Sequence, residues 1–252
     1  MFFIDFFFRC SIIAATGPAA LITRKVIFMK KIKHFFHLAW YEFVRTVLRI
    51  FFYPLFLMRA EGKENVPRKG PVMLLSNHQS FLDPMFCQLP LWRHMHHVAR
   101  ITLFDHKLFG MLLSTLNTIP IRRGEADVAA MKKIIAVLKE GKIVCLYPEG
   151  TRSSDGRIAE IKAGFSLLSR RSKAVVVPVV VEGAYECWPR DKKFPKLGRV
   201  YIKYGEGFTP EQIKELGDEG FSKAFNERLH TMQNELRAKR GVEPFDYSQK
   251  YE

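Results

Sequence analysis

Two short stretches hold residue types able to run acid–base chemistry. The first, SNHQSFLD at 76–83, puts His78 just after the apolar run Pro71–Leu75 and Asp83 five positions later, followed by Pro84. A neutral imidazole near pH 7 can take a proton from a hydroxyl. A carboxylate bonded to its other nitrogen fixes the tautomer and stabilises the imidazolium that forms. The same residues also suit humbler work: Asp83–Pro84 has the form of a helix start, Asp at N-cap and Pro at N1, and His78 could close a strand. The readings are compatible, because an aspartate fixed at a helix N-terminus stays ionised and rigid. The second stretch, IVCLYPEGTRSSDG at 143–156, runs from a buried-strand pattern straight into Glu149, Gly150, Thr151 and Arg152. Glycine lets a backbone approach a ligand closely, and arginine forks onto phosphate or carboxylate.

Three further stretches are weaker alone. NTIPIRRG (117–124) sets Arg122 and Arg123 after a short extended segment, either as a solvated basic turn or as an anion contact. EIKAGFSLLSRR (160–171) leads through Lys162 and Gly164 into a short amphipathic helix. In VVVPVVVEG (175–183), Pro178 predicts an edge strand or a bulge. His94, His96 and His97 read as a surface loop, and no metal-ligand cluster is expected.

The elements that must position these residues follow an α/β pattern from Glu61 on. Strands are predicted at Val72–Leu75, Ile143–Tyr147, Ala174–Val181 and Val200–Tyr204. Helical periodicity is clearest in DVAAMKKIIAVLKEG, with Val128, Met131, Ile134, Ile135 and Leu138 on one face and Gly141 as the stop, and again in Phe221–Arg240. This predicts a mixed, largely parallel central sheet flanked by helices, with active groups past the carboxyl ends of strands. At 252 residues, 48% of them hydrophobic, the chain can bury a full core. Its four cysteines are scattered without a CxxC pair, which argues against a zinc site or a disulfide framework and fits a reducing compartment. Cys145 reads as a small core residue.

Forty Lys and Arg against 25 Asp and Glu give a net charge of +15, so anionic partners are expected. Much of this charge flanks apolar segments. MFFIDFFFRC, the run Ser11–Ile22 and HFFHLAWYEFVRTVLRIFFYPLFLM surround a basic cluster of Arg24, Lys25, Lys30, Lys31 and Lys33. The reading is helices lying in a membrane interface, with basic residues, Arg45 and Arg49 included, meeting lipid phosphates; a core helix and a spanning helix are the alternatives. A nucleic-acid-binding module is disfavoured: there is no zinc-finger spacing and no RNA-recognition aromatic motif.

Taken in order, NHQSFLD, IPIRRG, YPEGTR and VPVVVEG resemble the four sequence blocks of the glycerolipid acyltransferases, most closely the 1-acyl-glycerol-3-phosphate (lysophosphatidic acid) branch. The resemblance runs from about Glu61 to Glu206. It implies transfer of a fatty acyl group from an acyl thioester, acyl-CoA or acyl carrier protein, to the sn-2 hydroxyl of 1-acyl-sn-glycerol-3-phosphate, giving phosphatidic acid without a cofactor or metal. Another lysophospholipid or a non-glycerol acceptor is the alternative. The implied roles make His78 the base and Asp83 its orienting partner. Arg123, Arg152 and Lys162 would face the acceptor phosphate, while Glu149, Gly150 and Thr151 would shape the acceptor site. Arg123 matches its block better than Arg122. The expected organisation is a membrane-associating segment over 1–60, an acyltransferase domain over 61–240 and a polar tail over 241–252. The expected location is the cytoplasmic face of the cell membrane, on anionic lipids.

Overall fold

The computed structural model describes residues 18–122, 127–161 and 164–248, with side chains from Lys25 onward. These residues fall into two units, one up to Val44 and one from Arg45 on. A single helix, α1 (Pro18–Leu55), runs over this stretch in place of the several expected. In the first unit it exposes Phe28, Phe35, Phe36, Trp40 and Phe43 along with Lys25, Lys30, Lys31 and Lys33. MFFIDFFFRC and the start of the Ser11–Ile22 run lie outside the described residues. No helix among the described residues is long and apolar enough to cross a membrane.

The second unit is built on a seven-stranded sheet. Its strands in spatial order are β1 (Arg59–Glu61), β7 (Tyr201–Tyr204), β6 (Val175–Glu182), β2 (Val72–Ser76), β5 (Ile143–Leu146), β3 (Met95–Arg100) and β4 (Thr118–Ile121). Every neighbouring pair is parallel except β6 and β7. The mixed, mostly parallel sheet predicted from the sequence is therefore present.

Side-chain alternation explains its two cores. Val72, Leu74, Ile143, Cys145, Val177, Val179 and Val181 point to one face, where α2 (Asp83–Gln88) brings Phe86 and the turn after α1 brings Phe56. Met73, Leu75, Val144, Leu146, Val176 and Val180 point to the other. There α4 (Val128–Lys139) brings Ile134 and Leu138, α5 (Phe165–Ser172) brings Leu168, and α7 (Pro210–Arg240) brings Phe225 and Leu229. Each fully buried side chain of this size contributes roughly 1.5–3 kcal/mol. The remaining helices are α3 (Lys107–Thr115) and the short α6 (Ala184–Cys187).

Several expectations need correction. Pro178 is in an interior strand, not at an edge. Its missing N–H is accommodated where the pairing slips by one residue, between Val179 opposite Tyr204 and Val176 opposite Phe208, so the bulge was the right alternative. His96 and His97 are in β3 rather than a surface loop. His97 is buried and bonded through Nε2 to Gln88 Oε1 at 2.7 Å, and burial pushes its pKa down to about 4. In α4 the buried residues are Ala130, Ile134 and Leu138, while Val128 is 59% exposed and Met131 half-exposed. α7 begins eleven residues earlier than the periodicity suggested, behind a Thr209–Gln212 capping box, and kinks at Gly217. Arg45 and Arg49 bond to backbone within the protein. Arg45 Nη1 donates to the carbonyls of Leu91 and Trp92, and Arg49 donates to those of Leu89 and Leu91 at 2.7 Å each. These bonds satisfy the carbonyls in the turn after α2, whose backbone has no ladder partner. Cys145 is a buried core residue, as expected.

Candidate active site

Why does the chain leave the sheet just before His78? Ser76 ends β2, and the Asn77 side chain continues its ladder. Asn77 Nδ2 donates to Val181 O at 2.9 Å, and Oδ1 accepts from Val181 N at 2.8 Å. An amide side chain in the role of a peptide group frees the backbone to turn outward at the next residue. That residue is His78, whose side chain is 11% exposed.

Asp83 then gathers the loop. Its Oδ2 accepts from Gln79 N, Ser80 N and His78 Nδ1, each at 2.7 Å, and the side chain is fully buried. The N-cap position of α2 is Leu82, without a side-chain cap bond, so Asp83 is not the helix cap the sequence suggested. The donors that point at it are those of the preceding turn. Because a carboxylate with two backbone donors is an acceptor, His78 Nδ1 carries the proton and Nε2 is left as the basic nitrogen. The Tyr147 ring stacks on the imidazole, with centroids 4.3 Å apart and planes 26° apart, fixing its second degree of freedom.

The loop after β5 is stitched to this turn from both sides. Ser153 N donates to His78 O at 2.7 Å, and His78 N donates to Glu149 Oε1 at 2.8 Å. Glu149 Oε2 accepts from Ala159 N at 3.3 Å. Burial raises the Glu149 pKa to about 8 in spite of these two donors, with the Asp83 charge adding to the effect. Its carboxyl group thus holds backbone at both His78 and Ala159. Gly150 takes φ +71 with nothing within 4 Å of a Cβ added there, so its positive φ, not crowding, favours glycine. Thr151 Oγ1 accepts from Arg190 Nη1 at 3.3 Å. The Arg152 guanidinium lies 3.4 Å from the centroid of Phe81, which places it over the same turn that carries His78.

Arg123 and Lys162 lie outside the described residues. Arg122 is described: its N–H donates to Asp127 Oδ2 at 2.9 Å, and Asp127 Oδ1 also caps α4 through Ala130 N. The structure thus brings His78, Asp83, Glu149 and Arg152 into one pair of stitched loops, with Gly150 and Thr151 between them.

Behind the loops is a polar group the sequence reading missed. Glu182, 1% exposed at the end of β6, accepts through Oε1 from Arg237 at 3.0 Å and Arg240 at 2.5 Å, and through Oε2 from Gln233 at 2.7 Å and Gln79 at 3.2 Å. Gln79 Nε2 and Gln233 Nε2 both also donate to Gly156 O, at 2.7 and 2.8 Å. The Tyr247 hydroxyl donates to Gln233 Oε1 and accepts from Ile158 N. A charge this deeply buried requires its cations, and Glu182 has two. The local signal for it was a carboxylate closing an all-apolar strand ahead of Gly183. Gly183 itself has φ +95, and a Cβ there would sit 2.2 Å from Arg199 O. Gln233 and Tyr247 carried no local signal.

Fold and site together define an α/β protein that holds a histidine–carboxylate pair at the carboxyl edge of its parallel strands. Known proteins with the same features narrow the class. Residues 58–182 match the family model described as Acyltransferase. The chain is 30% identical over 165 residues to a chloroplastic 1-acyl-sn-glycerol-3-phosphate acyltransferase of Arabidopsis thaliana, covering 64% of this chain and 44% of that protein. To the proteins named 1-acyl-sn-glycerol-3-phosphate acyltransferase in Bacillus subtilis and Pseudomonas aeruginosa it is 24% and 31% identical, covering 78% and 62% of this chain and 98% and 62% of theirs. It spans under half the length of the Arabidopsis and Brassica napus chloroplast relatives, 44% and 46%. In fold it is similar to the crystal structure of the 1-acyl-sn-glycerophosphate (LPA) acyltransferase PlsC from Thermotoga maritima, with a TM-score of 0.68, 24% identity, and coverage of 79% of this chain and 81% of that one.

Proposed function

We propose that this protein transfers a fatty acyl group from an acyl thioester to the sn-2 hydroxyl of 1-acyl-sn-glycerol-3-phosphate, giving phosphatidic acid. The observation that carries the reading is the His78–Asp83 pair. Its Nδ1 is held at 2.7 Å by a buried carboxylate, and its Nε2 is left as the base. As the acceptor oxygen bonds to the thioester carbonyl carbon, Nε2 takes the hydroxyl proton. The tetrahedral intermediate then collapses, the C–S bond breaks, and the thiolate leaves with that proton. Asp83 stabilises the imidazolium between these steps.

Arg152, aligned over Phe81, is the described cation assigned to the acceptor phosphate, with Arg123 and Lys162 as its sequence-derived partners. Glu149 positions His78 through the backbone, and Gly150 and Thr151 keep the adjoining loop open. The donor is acyl-CoA or acyl carrier protein, either of which is anionic and suits a chain of charge +15. The exposed aromatic and basic residues of α1 support attachment to an anionic membrane surface, and the cytosolic origin of acyl thioesters supports its cytoplasmic face.

The test is acyl transfer in detergent micelles with 1-acyl-glycerol-3-phosphate, an acyl-CoA series and acyl carrier protein donors. The wild type is expected to form phosphatidic acid, and His78→Ala to lose roughly 10²–10⁴-fold in rate with its circular dichroism unchanged. Equal rates would remove His78 from the chemistry. No product from the wild type with either donor would remove this acceptor.

A further inference from the structure

Between α6 and β7 the chain reads WPRDKKFPKLGR, residues 188–199. It forms neither helix nor strand, yet its base is fixed. Trp188 Nε1 donates to Lys192 O at 2.9 Å, Lys196 N donates to Cys187 O at 2.7 Å, and Gly198 is so close to Cys187 that a Cβ would sit 2.5 Å from the sulfur. This base holds out two large apolar side chains, Phe194 at 71% and Leu197 at 72% exposure. Lys192, Lys193 and Lys196 surround them in sequence, all exposed, with Asp191 as the acid of the stretch. Pro189 and Pro195 stiffen the loop further.

The loop adjoins the site rather than some remote surface. The Trp188 ring lies 5.2 Å from that of Phe81, the residue that carries the Arg152 guanidinium, and Arg190 donates to Thr151. Apolar side chains held out in water by a rigid loop indicate a surface that is covered in use. Apolar tips with exposed lysines beside them in the same loop match a bilayer boundary, where tips enter the acyl region and ammonium groups stay with the phosphates.

Resting on the reading of the acceptor as a bilayer lipid, we propose that loop 188–199 docks on an anionic lipid surface, with Phe194 and Leu197 inserted below the headgroups. Lys192, Lys193 and Lys196 then bind lipid phosphates, and the mouth beside Phe81 and Arg152 faces the layer that contains the acceptor. An acidic carrier protein would be matched by the lysines alone. The two protruding apolar side chains favour lipid.

The experiment uses the full chain on vesicles of phosphatidylcholine and phosphatidylglycerol with brominated acyl chains. In Phe194→Trp, the emission added over the parent is expected to be quenched by the bromines. Phe194→Ser with Leu197→Ser is expected to bind these vesicles about tenfold or more weakly. Its rate on vesicle-borne acceptor should fall in step, while its rate on a short-chain acceptor dispersed as monomers stays at the parent's. Replacing Lys192, Lys193 and Lys196 by Gln should remove about fivefold of the phosphatidylglycerol dependence per lysine. Absent quenching, or an equal loss on vesicle-borne and dispersed acceptor, overturns the proposal. So does a triple-lysine variant that keeps its vesicle affinity but demands more acyl carrier protein, which would identify the surface as a donor-protein site. Quenching and binding need no turnover, so an inactive parent would sink the acyl-transfer reading and leave this proposal standing.

Discussion

The two ends of the parallel strands satisfy their loops with opposite charges. Where the strands begin, Arg93 spreads its guanidinium over the carbonyls of Pro67, Gly70 and Gly141, at 2.5, 2.7 and 2.7 Å. Where they end, Asp83 and Glu149 collect backbone N–H groups, and Glu182 collects the amides and guanidiniums of α7. Both ends solve the same problem, unpaired backbone in a partly buried turn. A guanidinium used in this way is inert near neutral pH, because it keeps all its protons. A carboxylate can hold backbone with one lone pair and an imidazole with another, so only the carboxyl end of the strands could become a site for proton transfer.

The sharpest way to break this comparison is Asp83→Asn. Turnover is expected to fall about 10⁴-fold, because an amide can offer His78 Nδ1 a donor and so favours the wrong tautomer; steady-state rates with wild-type-like membrane binding would check it. Glu182→Ala comes next and acts on stability: with Arg237 left without its carboxylate and Arg240 keeping only the exposed Glu186, a loss of about 3–5 kcal/mol is expected in denaturant titration. Arg93→Ala is the converse of the first. About 2–3 kcal/mol of stability should go while kcat below the melting point stays unchanged; a kcat loss comparable to that of Asp83→Asn would dissolve the contrast between the ends.

Glu149→Gln tests the pH dependence. Between the ordinary value of 4.5 and about 8 the folded chain keeps a proton that the unfolded chain releases, so stability falls as pH rises through that window. The variant should flatten this slope, by at most about 1.4 kcal/mol per pH unit. The smallest effect is expected from Tyr247→Phe, about 1 kcal/mol in thermal melting with a modest kcat decrease, since Gln233 keeps its other bonds.

How far the sequence carried depended on the range of the forces involved. The strands buried on both faces announced themselves as unbroken apolar runs, and His78, Asp83 and the loop after β5 were legible because turn and motif are local. β1 and β3 were not legible. Three residues of β1 are set by pairing with β7, and β3 carries two histidines near its start, of which His97 is buried against Gln88 of α2. Arg45 and Arg49 looked like lipid ligands because nothing nearby in sequence reveals carbonyls some forty residues away. Glu182 could be noticed, whereas its partners on α7 follow only from how that helix crosses the sheet.

The bond from the Tyr247 hydroxyl to Gln233 gives the chain a timetable. His78 and Asp83 leave the ribosome early and can form their turn at once. The residues that brace this turn through Gln79 and Glu182 emerge far later, on the order of ten seconds at ordinary translation speeds. Glu182 emerges between the two, some 55 residues ahead of Arg237 and Arg240. The polar brace behind the site is thus complete only once α7 has been made and packed against β6.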